Sequence, residues 1–107
     1  MKVTIKGTVK SCTDARTVSN GSICELVLEK KYHDPDTGEI KSTDFFPIQF
    51  WNDMFEKYAA AVKVSKVLEV TGYLNGKLNS KDGNDKAFLS ITAKEFKPIV
   101  YIKQEEG

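Results

Sequence analysis

The chain has 107 residues, the size of a single domain, and its 16 basic and 15 acidic residues leave a formal net charge of +1. Bulk charge therefore does not indicate a nucleic-acid binder, so any electropositive surface must come from the arrangement of charges. Cys12 and Cys24 form no Cys-x-x-Cys pair and the chain has one histidine, which argues against a zinc site or another cofactor. There is no membrane-spanning run and no signal peptide, so we expect a cytoplasmic protein with two free thiols and a buried Cys24.

The first part of the chain predicts two strands separated by a loop. Apolar and polar residues alternate over Lys2–Lys10, and Gly7 in the middle indicates a bend or bulge. Residues 11–21 are rich in Ser, Thr, Asn, Asp and Gly, which predicts a loop. Ser22–Tyr32 predicts a second strand, with an inner face formed by Cys24, Leu26 and Leu28.

A turn-rich segment, 33–39, precedes a third strand, which includes Thr43–Trp51. Because neighbours on a strand point to opposite faces, one face should hold Phe46, Ile48 and Phe50, and the other Phe45, Pro47, Gln49 and Trp51. The first set has the character of a core. The second presents two aromatic rings on a face that need not be buried.

The rest of the chain predicts a helix and two more strands. The helix, Asp53–Lys63, is capped by Asn52 or Asp53, and its helical spacing buries Met54, Phe55, Tyr58, Ala59 and Val62. Strands over Lys66–Leu78 and Lys86–Phe96 flank an Asp82-Gly83 turn. Part of the tail, with Ile99, Val100, Tyr101 and Ile102, is expected to pack or pair. The order β-β-β-α-β-β predicts an all-β fold: one five-stranded Greek-key OB-fold barrel over residues 1–107, with a short helix between strands three and four.

Several short motifs follow one another along nearly the whole chain. They are Val3-Thr4-Ile5-Lys6-Gly7-Thr8-Val9, Tyr32 followed by Asp36-Thr37-Gly38-Glu39, Thr43-Asp44-Phe45, Phe50-Trp51, Glu56-Lys57-Tyr58, Val70-Thr71-Gly72-Tyr73-Leu74, and Asp82-Gly83 followed by Lys86. In this order they resemble the bacterial and phage single-stranded DNA-binding protein family. The ordered set carries the resemblance, since no single motif is decisive.

The resemblance implies binding of single-stranded DNA (ssDNA) by base stacking, in DNA replication, recombination and repair. Tyr32, Phe45 and Trp51 match positions of stacking aromatics, and Lys77 matches a basic position. Asn79 stands where many members have another aromatic, so that stacking position is lost or moved, with Tyr73 as the replacement. Residues 103–107 do not resemble the family's long glycine-rich, acidic tail, so partners recruited by such a tail are not expected. A chain without that tail fits a shortened member, a phage or mobile-element member, or a relative of the primosomal protein.

The residue pattern supports the same surface. Phe45, Trp51 and Tyr73 occupy outer strand positions, flanked by Lys31, Lys77, Lys81 and Lys86, and a binder of single strands needs aromatic rings together with cations. Structural roles remain open for each ring. Trp51 fits a core or an interface, Phe45 fits a subunit contact, and Tyr73 fits burial under the tail. Tyr32 falls on the inner side unless a bulge near Lys30–Lys31 turns it outward.

Three functions remain open, and none is enzymatic, because the lone histidine lies in a turn and there is no glycine-rich phosphate loop. The leading prediction is a non-catalytic, largely sequence-independent ssDNA-binding protein. The alternatives are a primosomal-type or RNA-binding OB module and a protein-interaction domain. The alternating first strand offers an edge for pairing, which predicts a homo-oligomer, either a dimer or a tetramer.

Overall fold

The computed structural model describes residues 1–100, which form six strands, a 3₁₀ turn and one α-helix. These elements are β1 Lys2–Cys12, β2 Arg16–Val18, β3 Gly21–His33, β4 Ile40–Trp51, the 3₁₀ turn Asn52–Met54, α1 Phe55–Val64, β5 Val67–Lys81 and β6 Asn84–Pro98. The five predicted strands correspond to β1, β3, β4, β5 and β6. The loop prediction for residues 11–21 was wrong in part, because β2 lies within it and pairs with the start of β3.

Five of the strands close into a barrel in the order β1-β5-β6-β4-β3, and β1 closes it by also pairing with β3. Lys2–Thr8 of β1 pair with β5, and Thr8–Cys12 pair with β3, so Thr8 pairs with both strands. A register shift between Val9 and Ser11 accompanies the change of partner, so the predicted irregularity lies just after Gly7. The β4–β6 pair is parallel and the others are antiparallel. The predicted OB-fold is confirmed, with its helix between β4 and β5.

The core fills the barrel and is formed by the inner faces predicted from the strand alternation. Its buried members are Cys24, Leu26, Leu28, Ile48, Phe50, Met54, Ala61, Leu68, Val70, Ile91, Ala93 and Phe96. Phe50 is its aromatic centre, with ring centroids 5.6 Å from Phe55, 4.8 Å from Tyr58 and 5.3 Å from Phe96. Such pairs add about 0.5–1.5 kcal/mol each beyond the area that they bury. The helix therefore covers one end of the barrel through aromatic contacts with β4 and β6.

The start and the buried face of the helix differ from the sequence expectation. Neither Asn52 nor Asp53 caps it, and the residue before the first helical position is Met54. The Asn52 side-chain oxygen instead accepts the backbone N–H of Ser22 at 3.4 Å, which ties the strand–helix junction to β3. Ala61 rather than Ala59 is buried against the core.

Two long hairpins extend beyond the barrel and give the molecule dimensions of 63 × 34 × 24 Å. The β5–β6 hairpin is closed by Asp82 and Gly83, both with positive φ, of 52° and 78°, as the predicted two-residue turn requires. Lys94 is an extra residue in β6, because Thr71 pairs with Glu95 whereas the next residue, Gly72, pairs with Ala93. This β-bulge lies within the barrel, because Gly72 and Tyr73 still pair with β1, and Ile91 and Thr92 still pair with β4.

The remaining sequence expectations concern the tail, the thiols and the membrane. Ile99 donates its backbone N–H to the Val67 carbonyl at 2.8 Å, so pairing does continue past β6. Tyr101 and Ile102 lie outside the described residues. Cys12 and Cys24 are both free thiols, and burial raises the pKa of the Cys24 thiol, which belongs to the core as predicted. Within residues 1–100, no helix is long and apolar enough to cross a membrane.

Gly72 has no room for a side chain, so we expect Gly72→Ala to destabilise the barrel. A Cβ atom there would collide with the backbone carbonyl of Thr92 on β6, and such overpacking costs about 1–3 kcal/mol. Gly76→Ala, on the same strand, is the matched control, because its Cβ would meet only Leu89 Cδ2 at 3.7 Å. Urea denaturation of both variants measures the difference, and equal midpoints would contradict the tight β5–β6 contact.

Candidate nucleic-acid interface

The candidate surface is the outer face of the barrel, the side opposite the core on β3 to β6. Strand pairing sets its layout: Tyr73 of β5 pairs with Thr92 of β6, Thr92 pairs with Gln49 of β4, and Gln49 pairs with Glu25 of β3. Residues paired in this way share a face. With strands roughly 4.8 Å apart, Tyr73 lies two strand spacings, or about 10 Å, from the middle of β4.

Four aromatic residues lie on this outer face, and we call them the aromatic platform: Phe45, Trp51, Tyr73 and Phe88. Phe45 is 55% exposed, Tyr73 is 46% exposed and Phe88 is 48% exposed. None of the four belongs to the core cluster or packs against it. The barrel is therefore complete without them, and their rings are available to a ligand.

Trp51 is the least exposed member of the platform. It is partly buried and pairs with Ile23, which is only 5% exposed although it lies on the outer face. On its other side Ile23 pairs with Arg16 of β2. Trp51 is therefore placed beside a buried residue of the outer face and is still partly exposed. Its position is compatible with both roles considered for it, a structural contact and a ring exposed to a ligand.

Tyr32 lies on the opposite side of its hairpin from Phe45. The β3–β4 register is continuous from Glu29, which pairs with Phe45, to Tyr32, which pairs with Ser42, and it shifts only after Tyr32. Since no bulge occurs at Lys30–Lys31, the alternation places Tyr32 on the inner side. It is nevertheless 39% exposed, because the hairpin extends beyond the barrel. Partial desolvation and the neighbouring Asp44 carboxylate raise the pKa of Tyr32.

Phe88 was missed in the sequence analysis although its signal was present. In the predicted fifth strand Leu89, Ile91 and Ala93 alternate with polar residues, and the same alternation turns Phe88 and Lys86 to the other face. Phe88 pairs with Lys77, and Lys86 pairs with Asn79. Phe88 therefore provides an exposed ring beside the position where the family resemblance suggested an aromatic had been lost.

Lysines accompany the rings on the β5–β6 hairpin. Strand pairing places Lys77, Lys81 and Lys86 on the same face as Tyr73 and Phe88. The Lys86 Nζ atom lies 5.6 Å from the Phe88 ring centroid, and Lys94 Nζ lies 6.0 Å from that of Tyr73. These distances are within the range of cation–π contact. Within residues 1–100, none of these four lysines has a carboxylate within ion-pair distance.

The β3 side of the outer face also carries carboxylates, and basic side chains compensate them. Arg16 contacts Glu25 at 2.8 Å, while Glu29 is held by Lys10 at 3.8 Å and by Lys31 at 3.3 Å. The predicted site lysine Lys31 is thus engaged with Glu29. The unpaired positive charge of the outer face lies mainly on the β5–β6 hairpin. No cluster of side chains suited to a metal ion occurs among residues 1–100.

Comparison with known proteins places this surface in context. Residues 1–99 match the sequence profile of the family described as “SSB: Single-strand binding protein family”. No curated protein matches the sequence. Solved structures with the same fold include a small single-stranded DNA-binding protein from Streptomyces coelicolor, at 17% identity and a TM-score of 0.67, with 94% of each chain covered.

Two further solved structures show the same fold. A small single-stranded DNA binding protein from Mycoplasma pneumoniae is 14% identical with a TM-score of 0.60, covering 98% of this chain and 95% of that chain. A Plasmodium falciparum SSB in complex with ssDNA is 17% identical with a TM-score of 0.64, covering 85% of this chain and 83% of that chain. At these identities the structural matches show the fold, and the sequence match over residues 1–99 shows the family. The chain belongs to the single-strand binding protein family, and its function is the non-catalytic binding of single-stranded DNA.

Proposed function

We propose that single-stranded DNA binds across the outer face, with bases stacked on the aromatic platform and phosphates held by lysines. The observation that carries this proposal is the half-exposure of Phe45, Tyr73 and Phe88 on a barrel whose core is complete without them. Stacking on an aromatic side chain is worth about 1–3 kcal/mol per base and depends little on the identity of the base. Binding is therefore largely independent of sequence.

The spacing of the rings suits an extended strand that crosses the sheet. Phe45 and Trp51 lie six positions apart on β4, which is roughly 20 Å at about 3.3 Å per residue. Tyr73 and Phe88 extend the same face onto the β5–β6 hairpin. We assign the predicted residues Phe45, Trp51, Tyr73, Lys77, Lys81 and Lys86 to this path and add Phe88 and Lys94. Tyr32 and Lys31 take part only where the strand passes around the β3–β4 hairpin.

The distribution of charge favours DNA over a protein ligand for this surface. Among residues 1–100, Lys77, Lys81, Lys86 and Lys94 accompany the rings without forming ion pairs, and a polyanion is the ligand that gains from such an arrangement. The Plasmodium falciparum protein of the same fold was solved with ssDNA, which is consistent with this assignment. We place the activity in DNA replication, recombination and repair, with no chemical step at the surface.

We also propose that the protein is a homo-oligomer assembled through the edge of β1. Lys2–Gly7 hydrogen-bond with β5 along one edge, and pairing with β3 begins only at Thr8. Among residues 1–100, no other strand pairs with this segment. An unpaired edge of this kind is a template for an equivalent strand related by a two-fold axis.

We expect oligo(dT) to quench the fluorescence of Trp51, the only tryptophan in the chain, and the affinity to fall as salt rises. The salt dependence follows from the release of counterions when lysines neutralise phosphates. Titrations with duplex DNA and with oligo(U) are the controls, and binding to oligo(dT) should be the tightest. Unchanged emission with no mobility shift would contradict the proposal, and preference for oligo(U) would favour an RNA-binding module.

Phe88→Ala should weaken the binding of oligo(dT), whereas Leu89→Ala should leave it unchanged. The two side chains are neighbours on β6, both exposed, at 48% and 63%, and they point to opposite faces of the hairpin. Loss of one stacking ring costs about 1–3 kcal/mol, or about 5- to 150-fold in Kd. Fluorescence anisotropy of a labelled oligonucleotide measures both variants, and equal losses would show that the outer face is not the binding surface.

Sedimentation equilibrium should give a mass that is a multiple of the 12.0 kDa of one chain. The open edge of β1 supplies the physical reason, because pairing satisfies backbone groups that otherwise face water. Measurements over a range of protein concentrations separate dimer from tetramer. A monomer at every concentration would contradict assembly through β1.

A further inference from the structure

The two cysteines of the chain lie on the same face of the β1–β3 pair. Cys12 pairs with Leu26 of β3, and Cys24 lies two residues before Leu26 on that strand. Residues that pair directly share a face of the sheet, and so do residues two apart on one strand. Leu26 is fully buried, so the shared face is the inner face of the barrel. The two thiols are therefore diagonal neighbours at the end of β1.

A hydrogen-bonded pair of residues beside the cysteines keeps the two strands together at this point. Thr13 follows Cys12 and Glu25 follows Cys24. The backbone N–H of Thr13 donates to the Glu25 carbonyl at 2.9 Å, and the Thr13 hydroxyl accepts the backbone N–H of Glu25 at 3.1 Å. The cysteines are thus held on adjacent strands, although Cys12 is the last residue of β1.

Tyr58 of α1 lies against the same two thiols. Burial raises the pKa of the Tyr58 hydroxyl, and so do its hydrogen bond with Cys12 and the nearby Cys24. The pKa of the Cys24 thiol is raised by burial first and then by the neighbouring Cys12 and Asp14. A buried thiol that stays protonated reacts poorly on its own. Cys12, Cys24 and Tyr58 therefore form one cluster beneath the helix.

The two thiols differ in their access to solvent. Cys12 is exposed, whereas Cys24 is 8% exposed and belongs to the core. An oxidant in solution therefore meets Cys12 and is kept away from Cys24. An accessible thiol with a second thiol beside it is the arrangement in which oxidation of the first ends in a disulfide.

The distance between the two strand positions allows a disulfide after a small movement. Diagonal neighbours on an antiparallel pair lie about 7–8 Å apart, and the Cα atoms of a disulfide lie about 4.4–6.8 Å apart. A shift of about 1–2 Å at the end of β1 closes the difference. Residues 13–15 belong to no strand. The end of β1 can therefore move without disturbing the pairing of Lys2–Thr8 with β5.

We propose that Cys12 and Cys24 are a dithiol site that a hydroperoxide, such as hydrogen peroxide, oxidises to a reversible disulfide within one chain. The Cys12 thiolate attacks the O–O bond and becomes a sulfenic acid, and the hydroxide that leaves takes up a proton. Cys24 Sγ then attacks Cys12 Sγ, and the Cys24 proton departs with the sulfenic hydroxyl as a second water. Two thiols lose two electrons in total, and the peroxide is reduced to two waters. A dithiol reductant reverses the change.

The bond joins the two ends of a segment that includes β2. Residues 13–23 become a closed loop, and a closed loop restricts the unfolded chain more than the folded one. We therefore expect the oxidised protein to unfold at a higher urea concentration than the reduced protein. The site lies on the inner face of the barrel, away from the aromatic platform, so it is independent of the proposed DNA surface.

The test treats the full chain with hydrogen peroxide, blocks the remaining thiols by alkylation and digests the protein with trypsin without reduction. Trypsin cuts after lysine and arginine, which leaves Cys12 in peptide 11–16 and Cys24 in peptide 17–30. Mass spectrometry should find these two peptides joined, and dithiothreitol should separate them. A non-reducing gel should show single chains.

Two variants separate the roles of the thiols. Cys24→Ala removes the second thiol without burying a hydroxyl, and its Cys12 should remain a sulfenic acid that dimedone traps. Cys12→Ser should protect Cys24, which then stays alkylatable only after unfolding. Oxidation of Cys24 at the wild-type rate in Cys12→Ser would overturn the proposal, because Cys12 would not be the thiol that meets the oxidant.

Other results would also overturn the site. Chains cross-linked through Cys12, with Cys24 still a free thiol, would show that Cys12 reacts only as a surface thiol. Oxidation of wild-type Cys12 to sulfinic acid with Cys24 unchanged would show that the two thiols do not meet. A lower urea midpoint for the oxidised protein would show that the bond distorts the barrel. None of these measurements requires DNA, so failure here leaves the proposed function untouched.

Discussion

The closure of the barrel by β1 is the constraint on which the rest of the structure depends. One strand pairs with two neighbours, with β5 along its first part and with β3 from Thr8 onward. Closure gives every barrel strand one side that faces a filled interior, so the apolar side chains at alternate positions are sufficient for stability. Most side chains on the other side are not needed to fill the core, so a sheet in that position can carry rings and cations for a ligand.

The same closure explains where charge can be used. A chain with a formal net charge of +1 has no general attraction for a polyanion. Compensation of Glu25 and Glu29 by Arg16, Lys10 and Lys31 removes local repulsion on the β3 side. Lysines without such partners then act where β5 and β6 leave the barrel. Placement of charge relative to the rings matters more here than its total.

The fold and much of the candidate surface could be predicted from the alternation of apolar and polar residues along each strand and from the order of the strands and the helix. Alternation placed Phe46, Ile48 and Phe50 inside and Phe45 outside, because a closed barrel has one buried face. The prediction that Asn52 caps the helix was wrong. The Asn52 side chain accepts a hydrogen bond from the Ser22 backbone on β3 instead, and such a tertiary contact is not part of local capping rules. The side taken by Tyr32 depended on whether a bulge occurs at Lys30–Lys31, and strand composition does not reveal that. Phe88 could have been predicted from the alternation of β6, which turns it to the face opposite the buried Ile91 and Ala93.

The bulge at Lys94 has a consequence for how such a surface changes during evolution. On either side of it, Ala93 and Phe96 remain buried and Thr92 and Glu95 pair with outward-facing partners. The extra residue is therefore outside the two-residue repeat of β6, and it contributes the ammonium group beside Tyr73. A single-codon insertion at such a point can add a cation to a ligand surface while every other side chain of the strand keeps its side. The protein can in this way gain affinity for a ligand without any change in the residues that form its core.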